Sequence, residues 1–111
     1  MEIKDLVQIQ KDFDLTHYVK KSFYTEINES NLYELEHLIV CLIGELGEFS
    51  NILKKVIRGD LNYSEAKPLL NEEYIDVFIY LIKISSQFNI DIETEYLNKM
   101  KKNALRFNCL K

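Results

Sequence analysis

The hydrophobic positions of the chain recur every three or four residues, a period that predicts amphipathic helices. A short first helix is predicted from residue 2 to about residue 20, on the apolar positions Ile3, Leu6, Val7 and Ile9. Asp14 and Thr16 are candidate caps that would break this helix. The polar stretch 24–30 predicts a connector to the next helix.

A second helix is predicted to begin after Asn31, a good N-cap residue, and to end near Arg58, where Gly59 and Asp60 stop it. At 100° per residue, one apolar face collects Leu38, Leu42, Leu46, Phe49, Leu53 and Val56. A third helix is predicted from a cap at Ser64 to about Phe88, with Pro68 tolerated near its first turn. Because residues 75–84 are apolar nearly all round, we expect this helix to be the buried centre of the fold.

A fourth helix is predicted from a cap at Asp91 to about Phe107. Its apolar face consists of Ile92, Tyr96, Leu97, Met100 and Ala104. Four amphipathic helices with short connections predict an all-α fold, a four-helix bundle. Three Gly and one Pro in 111 residues are too few for the turns of an all-β protein, which agrees with this class.

The length and composition predict a single globular domain over residues 1–111, with its motif-bearing core at about 32–107 and an N-terminal helix and connector at 1–30. Fourteen basic against eighteen acidic residues give a net charge of −4, which disfavours nucleic acid and anionic membranes as partners. The longest apolar run, residues 38–43, is far shorter than the ~20 residues that span a bilayer. The charged N-terminus lacks a signal-peptide pattern, and Cys41 and Cys109 form no C-x-x-C pair. We therefore expect a soluble protein of the reducing cytoplasm.

The placement of the acidic residues is unusual for amphipathic helices. Glu45 and Glu48 lie three apart on the second predicted helix, and Glu45 falls inside its apolar stripe, roughly 50° from the centre. Glu73 and Asp76 repeat this spacing on the third helix, where Tyr80 and Lys83 extend the same narrow polar stripe. An ionised carboxylate against an apolar core costs several kcal/mol unless it is paired or binds a metal.

If the two acidic pairs face each other, they form an all-oxygen site suited to Mg²⁺, with Mn²⁺ as a substitute. Mg²⁺ commonly shares its ligand shell with phosphate oxygens, so a phosphate-bearing substrate follows. Gly44 and Gly47 in the same turn suggest a close backbone approach. A single E-x-x-E pair usually belongs to a solvated helix face, and spacing alone leaves both interpretations open.

A ferritin-like di-iron site is a second metal hypothesis, which requires two Glu-x-x-His motifs. Glu34 and His37 supply one, but the other histidine, His17, follows Asp14 rather than Glu. This hypothesis is therefore disfavoured. His37 is interpreted as a packing or surface residue and Cys41 as a core residue.

Three segments in order resemble a known family. They are GELGEF at residues 44–49, EEYIDVFIYL at 72–81 and KMKKNALRF at 99–107. These segments are similar to the E-x-x-E, E-x-x-D and K-x-x-x-N-x-x-R-[YF] motifs of the MazG-like, all-α nucleoside triphosphate pyrophosphohydrolases. The resemblance covers about residues 37–107. It implies Mg²⁺-dependent cleavage of a nucleoside triphosphate to a monophosphate and pyrophosphate, as in nucleotide-pool house-cleaning.

The resemblance also implies roles for individual residues. The metal ligands would be Glu45, Glu48, Glu73 and Asp76, with Glu48 or Glu45 as the carboxylate that activates water. The substrate-binding residues would be Lys55, Tyr80, Lys99, Asn103 and Arg106. Lys55 stands near the position where relatives that prefer cytosine deoxynucleotides carry Trp, which leaves the choice of base open. Lys99, Asn103 and Arg106 also lie together at one edge of the fourth helix's apolar face, although a solvated basic face would look the same.

The resemblance further implies a homodimer, or a dimer of dimers, in which a second subunit completes the site. The alternative from another class is a catalytically silent helical module that senses a nucleotide or binds a protein. The four intact acids favour the enzyme.

Overall fold

Four helices account for most of the computed structural model, which describes residues 1–19 and 21–107. They are α1 (Ile3–Thr16), α2 (Leu32–Ile57), α3 (Tyr63–Gln87) and α4 (Ile92–Arg106). A small antiparallel hairpin of two-residue strands, β1 (Tyr18–Val19) and β2 (Lys21–Ser22), and a 3₁₀ turn (Glu29–Asn31) lie between α1 and α2. The prediction of an all-α bundle of four helices is confirmed.

Two of the four residues predicted to begin or end helices do so as expected, and the other two act differently. Asp91 caps α4 by accepting from the backbone N–H of Thr94 at 3.1 Å, and Gly59 follows α2 with a φ of +83°, as a helix-terminating glycine does. The cap of α3 is Asn62 rather than Ser64, because the Asn62 side chain accepts from the Ser64 N–H at 2.8 Å. Asn31 does not cap α2 with its side chain, which instead accepts from the Asn28 N–H at 2.7 Å within the 3₁₀ turn.

Helix α3 packs against both α2 and α1, so it is the central helix of the protomer. The most buried apolar residues are Ile27, Leu38, Ala66, Leu70 and Ile82. The expectation that residues 75–84 are buried all round is wrong in part, because Ile75 is 50% and Leu81 48% exposed. The predicted apolar face of α2 is likewise open at Leu46 and Leu53. Apolar surface on α2 and α3 is thus left exposed by the described part of the chain.

Helix α1 does not break at Asp14, the first of the two candidate positions, but ends at Thr16, the second. Asp14 is the most deeply buried charged residue among those described, at 1% exposure. Its Oδ1 lies 3.4 Å from Nζ of Lys83 on α3 and accepts from Gln10 Nε2 at 3.0 Å. A buried ion pair therefore fastens α1 to the central helix.

The single variant Lys83→Met is expected to destabilise the fold by roughly 3 kcal/mol, because it leaves the Asp14 carboxylate buried without its cation. The double variant Asp14→Asn/Lys83→Met should regain most of this loss, since no uncompensated charge remains. Urea unfolding followed by circular dichroism measures both. Equal stability of the single variant and wild type would show that the ion pair does not hold α1.

Helix α4 packs mainly against α1, near the start of both helices. Its predicted apolar face is present but largely open, with Tyr96 62%, Leu97 51% and Met100 47% exposed. The radius of gyration is 17.4 Å, against about 13 Å for a compact domain of this length. A single chain therefore leaves α4 extended, with an apolar face available to another surface.

The cysteine prediction is only partly covered by the structure. Cys41 is a free thiol, half-buried on α2, whereas Cys109 lies outside the described residues. No helix in the described part of the chain is both long and apolar enough to cross a membrane.

Candidate metal centre

Helices α2 and α3 bring three of the predicted acidic residues together. One carboxylate oxygen each from Glu45, Glu73 and Asp76 lies within 4.8 Å of the others, and all three residues are half-buried. Glu48, one turn further along α2, is more exposed and lies outside this group of three. Its carboxyl is nevertheless close enough to raise the pKa of both Glu45 and Glu73. The four acids, which we call the acidic cluster, therefore form one continuous group.

The electrostatics of the acidic cluster are unfavourable without a cation. Burial raises the pKa of Glu45, and the negative charges of Glu48 and Asp76 raise it further. Burial also raises the pKa of Glu73, with additional contributions from its hydrogen bond to Glu48 and from the surrounding carboxylates. Both groups thus retain a proton at a higher pH than ordinary glutamates, because the low dielectric and the neighbouring charges penalise ionisation.

The residues present fit a hard divalent cation. Oε2 of Glu45 and Oε2 of Glu73 are buried and have no hydrogen-bond partner among the residues that the structure describes. Buried acceptors without a partner are costly and rare in folded proteins. Carboxylate oxygens with no sulfur or imidazole ligand are the donor set of Mg²⁺ and Mn²⁺. A cation shared by these oxygens would satisfy both orphaned atoms and remove the repulsion between the carboxylates.

The di-iron hypothesis receives no support from this arrangement. Within residues 1–19 and 21–107, the group formed by Glu45, Glu73 and Asp76 is the only set of three acidic, histidine or cysteine ligands close enough to hold one ion. His37 instead lies beside Cys41 on α2, with Nε2 3.8 Å from Sγ.

An aromatic cleft adjoins the acidic cluster. Its cavity of about 440 Å³ has Glu45 and Asp76 at one side, and the remaining wall is built by Ile9, Gln10, Phe13, Phe23, Ile79, Tyr80 and Lys83. The ring of His17 stacks on Phe13 at 3.9 Å between centroids, which stiffens the α1 side of the wall. This acidic and aromatic cleft can bind a ligand that carries a metal-binding group at one end and a planar ring at the other.

A second cavity of about 230 Å³ shares Phe23, Tyr80 and Lys83 with this cleft and is also lined by His37, Cys41 and Gln87. Burial raises the pKa of the Tyr80 phenol to about 12, and the neighbouring Cys41 thiol and Glu45 carboxylate raise it in the same direction. The phenol therefore stays protonated across the neutral range and remains a hydrogen-bond donor.

The other predicted substrate residues lie away from the cleft. Lys55 is exposed near the end of α2, where its backbone carbonyl accepts from Asp60 at 2.9 Å. Lys99, Asn103 and Arg106 lie on α4 and do not line the cleft in the described chain. Arg106 instead sits over the Phe107 ring at 5.1 Å. One protomer brings the acids and Tyr80 together but not the basic residues of α4.

Sequence reasoning missed the contribution of the N-terminal segment to the cleft. Gln10, Phe13 and Phe23 come from a region that was assigned to a helix and a connector without functional residues. No local pattern distinguishes Phe13 and Phe23 from ordinary packing aromatics, so spacing alone gives no signal for them. Lys83 was noted in the polar stripe of α3, but its partner Asp14 could not be inferred from spacing.

Comparison with known proteins gives distant sequence matches. The chain is 27% identical over 89 residues to dCTP pyrophosphatase 1 of Homo sapiens, a match that covers 77% of this chain and 52% of the human protein. It is 25% identical over 89 residues to dCTP pyrophosphatase 1 of Rattus norvegicus, with the same coverage. No protein-family model and no solved structure matches the chain. The chain thus spans about half the length of curated relatives that are named as dCTP pyrophosphatases, and its similarity to them is distant.

Proposed function

We propose that the protein is a Mg²⁺-dependent nucleoside triphosphate pyrophosphohydrolase of the MazG-like type. The reaction is the hydrolysis of an NTP or dNTP to the corresponding monophosphate and pyrophosphate. The observation that carries this proposal is the acidic cluster, in which two buried carboxylate oxygens have no partner beside a cleft suited to a nucleotide. The distant similarity to proteins named as dCTP pyrophosphatases supports the same class of reaction.

The metal would be held by Glu45, Glu73 and Asp76, with Glu48 completing the set, and Mn²⁺ could replace Mg²⁺. When bound, a divalent cation neutralises triphosphate charge and lowers the pKa of a water molecule. The carboxylates of this chain would hold that cation at the junction of α2 and α3, and the phosphate end of the substrate would lie against it rather than against the carboxylates themselves. The aromatic cleft leads away from that junction and accommodates the nucleoside.

Glu48 is the residue proposed to orient the attacking water and take its proton. Glu48 is exposed to solvent, and its charge is close enough to Glu45 and Glu73 to raise the pKa of both carboxyls. Glu45 is the alternative base, because it lies three residues from Glu48 in the same acidic cluster and also lines the cleft. The proton leaves with pyrophosphate or solvent, and no covalent nucleophile is required.

A second copy of the chain is proposed to complete the site, in a homodimer or a dimer of dimers. The open apolar face of α4 and the uncovered surface of α2 and α3 supply the area for such an assembly. Lys99, Asn103 and Arg106 of one subunit would then meet the phosphates held by the acids of the other, with Lys55 at the edge and Tyr80 beside the sugar. Opposite charges on α4 and on the acidic cluster favour this pairing.

The proposed setting is the nucleotide pool of the cytoplasm, where such an enzyme would remove unwanted triphosphates. The test is pyrophosphate release over a panel of NTPs and dNTPs with Mg²⁺. We expect turnover of at least one nucleotide and none in the presence of excess chelator. Turnover that is unaffected by chelation would contradict the metal-dependent reaction.

The second candidate function is a silent module that senses a nucleotide or binds a protein. It is favoured by the position of α4, whose basic residues do not reach the acids within one protomer. In that case Mg²⁺ and nucleotide together would raise the melting temperature of the protein, but no pyrophosphate would be released from any nucleotide.

A further inference from the structure

The buried ion pair between Lys83 and Asp14 borders the acidic cleft. The Nζ–Oδ1 distance is 3.4 Å, and the side chains are only 12% and 2% exposed. Lys83 contributes to the same cavity wall as Glu45 and Asp76, and it also borders the second cavity behind Tyr80. An ammonium group thus lies in the wall of a cleft whose other charged residues are acids.

Helix packing alone does not require this pair. Desolvation of two charges offsets much of their attraction, and well-packed apolar residues commonly hold two helices as well or better. The pair therefore suggests that Lys83 has a role in addition to holding α1 against α3.

The position of Lys83 relative to the acids suggests what it does. Asp76, Tyr80 and Lys83 follow one another on one face of α3, and Lys83 is seven residues beyond Asp76. At 1.5 Å per residue this places Lys83 about 10 Å along the helix from Asp76. A nucleotide whose phosphates are held at the acids would therefore extend its base toward Lys83. This step rests on the proposed function.

The Lys83 side chain can donate hydrogen bonds but cannot accept them. An ammonium group has three donors and no acceptor, and one donor faces Asp14. In the described part of the chain, Nζ otherwise lies over the rings of Phe23 and Tyr80, at 5.2 Å from each ring centroid. Among the described residues Nζ donates no hydrogen bond to the Tyr80 phenol oxygen, so donors remain for an acceptor on a ligand.

We propose that Lys83, held in place by Asp14, determines the choice of base by donating to a carbonyl oxygen on the base edge. A carbonyl at this position accepts a hydrogen bond from the ammonium. An amino group there is itself a donor, so it forms no hydrogen bond with the ammonium. The substrate class is consequently a nucleoside triphosphate with a carbonyl-bearing base, such as uracil or hypoxanthine, in preference to its amino counterpart, cytosine or adenine.

Matched substrate pairs test this inference in the wild-type protein. dUTP differs from dCTP, and dITP from dATP, by a carbonyl in place of an amino group and the associated ring proton. We expect kcat/KM to favour the carbonyl member of each pair by about 10- to 100-fold, the value of a hydrogen bond to a charged group. Equal rates within each pair, or a preference for the amino member, would overturn the inference while leaving the proposed reaction intact.

The variant Asp14→Asn/Lys83→Met removes the ammonium without leaving an unpaired buried charge. We expect its dUTP to dCTP ratio to fall to within about twofold of unity, while Lys83→Arg keeps the direction of the preference because it keeps the cation. Lys67→Met, an exposed substitution on the same helix, should retain the wild-type ratio.

An unchanged ratio in the double variant would overturn the role of Lys83. If the double variant fails to fold, the wild-type ratios and Lys83→Arg decide. No release of pyrophosphate from any nucleotide by wild type would overturn the proposed function and this inference together.

Discussion

The Glu73→Gln variant is expected to release pyrophosphate at least ~100-fold more slowly than wild type, since even residues outside a metal's ligand shell are commonly worth 10- to 100-fold. Glutamine keeps the size of the side chain but removes the negative charge and one strong oxygen ligand. Oε2 of Glu73 is a buried acceptor without a partner in residues 1–19 and 21–107, so its replacement affects the proposed metal directly. Steady-state rates at saturating Mg²⁺ and nucleotide measure the loss.

The neighbouring residue offers a matched control. Glu72 is exposed on α3 and lies outside the acidic cluster, so Glu72→Gln makes the same change of charge one residue away. Its activity should remain close to wild type. Similar losses in both variants would indicate a general effect of charge or stability, and full activity of Glu73→Gln would contradict the assignment of Glu73.

The same variant has an opposite expected effect on the stability of the metal-free protein. A carboxyl whose pKa is higher in the folded than in the unfolded state favours folding at low pH, and this contribution is lost as pH rises through the folded pKa. Glu73 has such a raised pKa, above its usual value of 4.5. Metal-free Glu73→Gln should therefore melt above wild type at neutral pH, and the difference should shrink as pH falls toward 4.5.

A mixture of two inactive variants is expected to regain activity if α4 of one subunit completes the site of another. Glu73→Gln damages the acidic cluster and Arg106→Ala damages α4, so a mixed dimer contains one site in which both parts are intact. With free exchange of subunits, an equal mixture should reach about a quarter of wild-type activity, because half of the dimers are mixed and each has one good site. Rates measured after co-refolding or prolonged incubation give the result.

A second mixture controls for nonspecific recovery. Glu73→Gln combined with Asp76→Asn should remain inactive, since both changes fall in the same acidic cluster and no mixed dimer has an intact site. Recovery in both mixtures would point to refolding or contamination. Absence of recovery with Arg106→Ala, or full activity of that variant alone, would contradict the shared site.

The helices and the two acidic pairs could be predicted because they depend on local periodicity, whereas the meeting of the pairs in one cluster depends on the packing of α2 against α3. Glu45, Glu48, Glu73 and Asp76 lie three apart in pairs, and a helix places such residues on one surface whatever the rest of the fold does. The stop at Gly59 and the cap at Asp91 depend on backbone and side-chain preferences of single residues. These features need no knowledge of which helices contact one another.

The remaining features depend on tertiary contacts that spacing does not encode. Asp14 resembled a cap, but its burial against Lys83 outweighs the local preference and lets α1 continue. The role of Phe13 and Phe23 in the cleft follows from the return of the chain through the small hairpin. The extended position of α4 is also nonlocal, since its apolar face predicted a packed helix and the protomer provides no surface to cover it.

The central claim is that carboxylates from α2 and α3 share a divalent cation, and Mn²⁺ binding followed by electron paramagnetic resonance tests it most directly. Wild type and Glu72→Gln should bind Mn²⁺, and Mg²⁺ should compete for the same site. Binding should weaken as pH falls toward 4.5, because protons compete for Glu45 and Glu73. Glu73→Gln should lose this binding. Equal Mn²⁺ binding by Glu73→Gln and wild type, or no binding by wild type at neutral pH, would contradict the account.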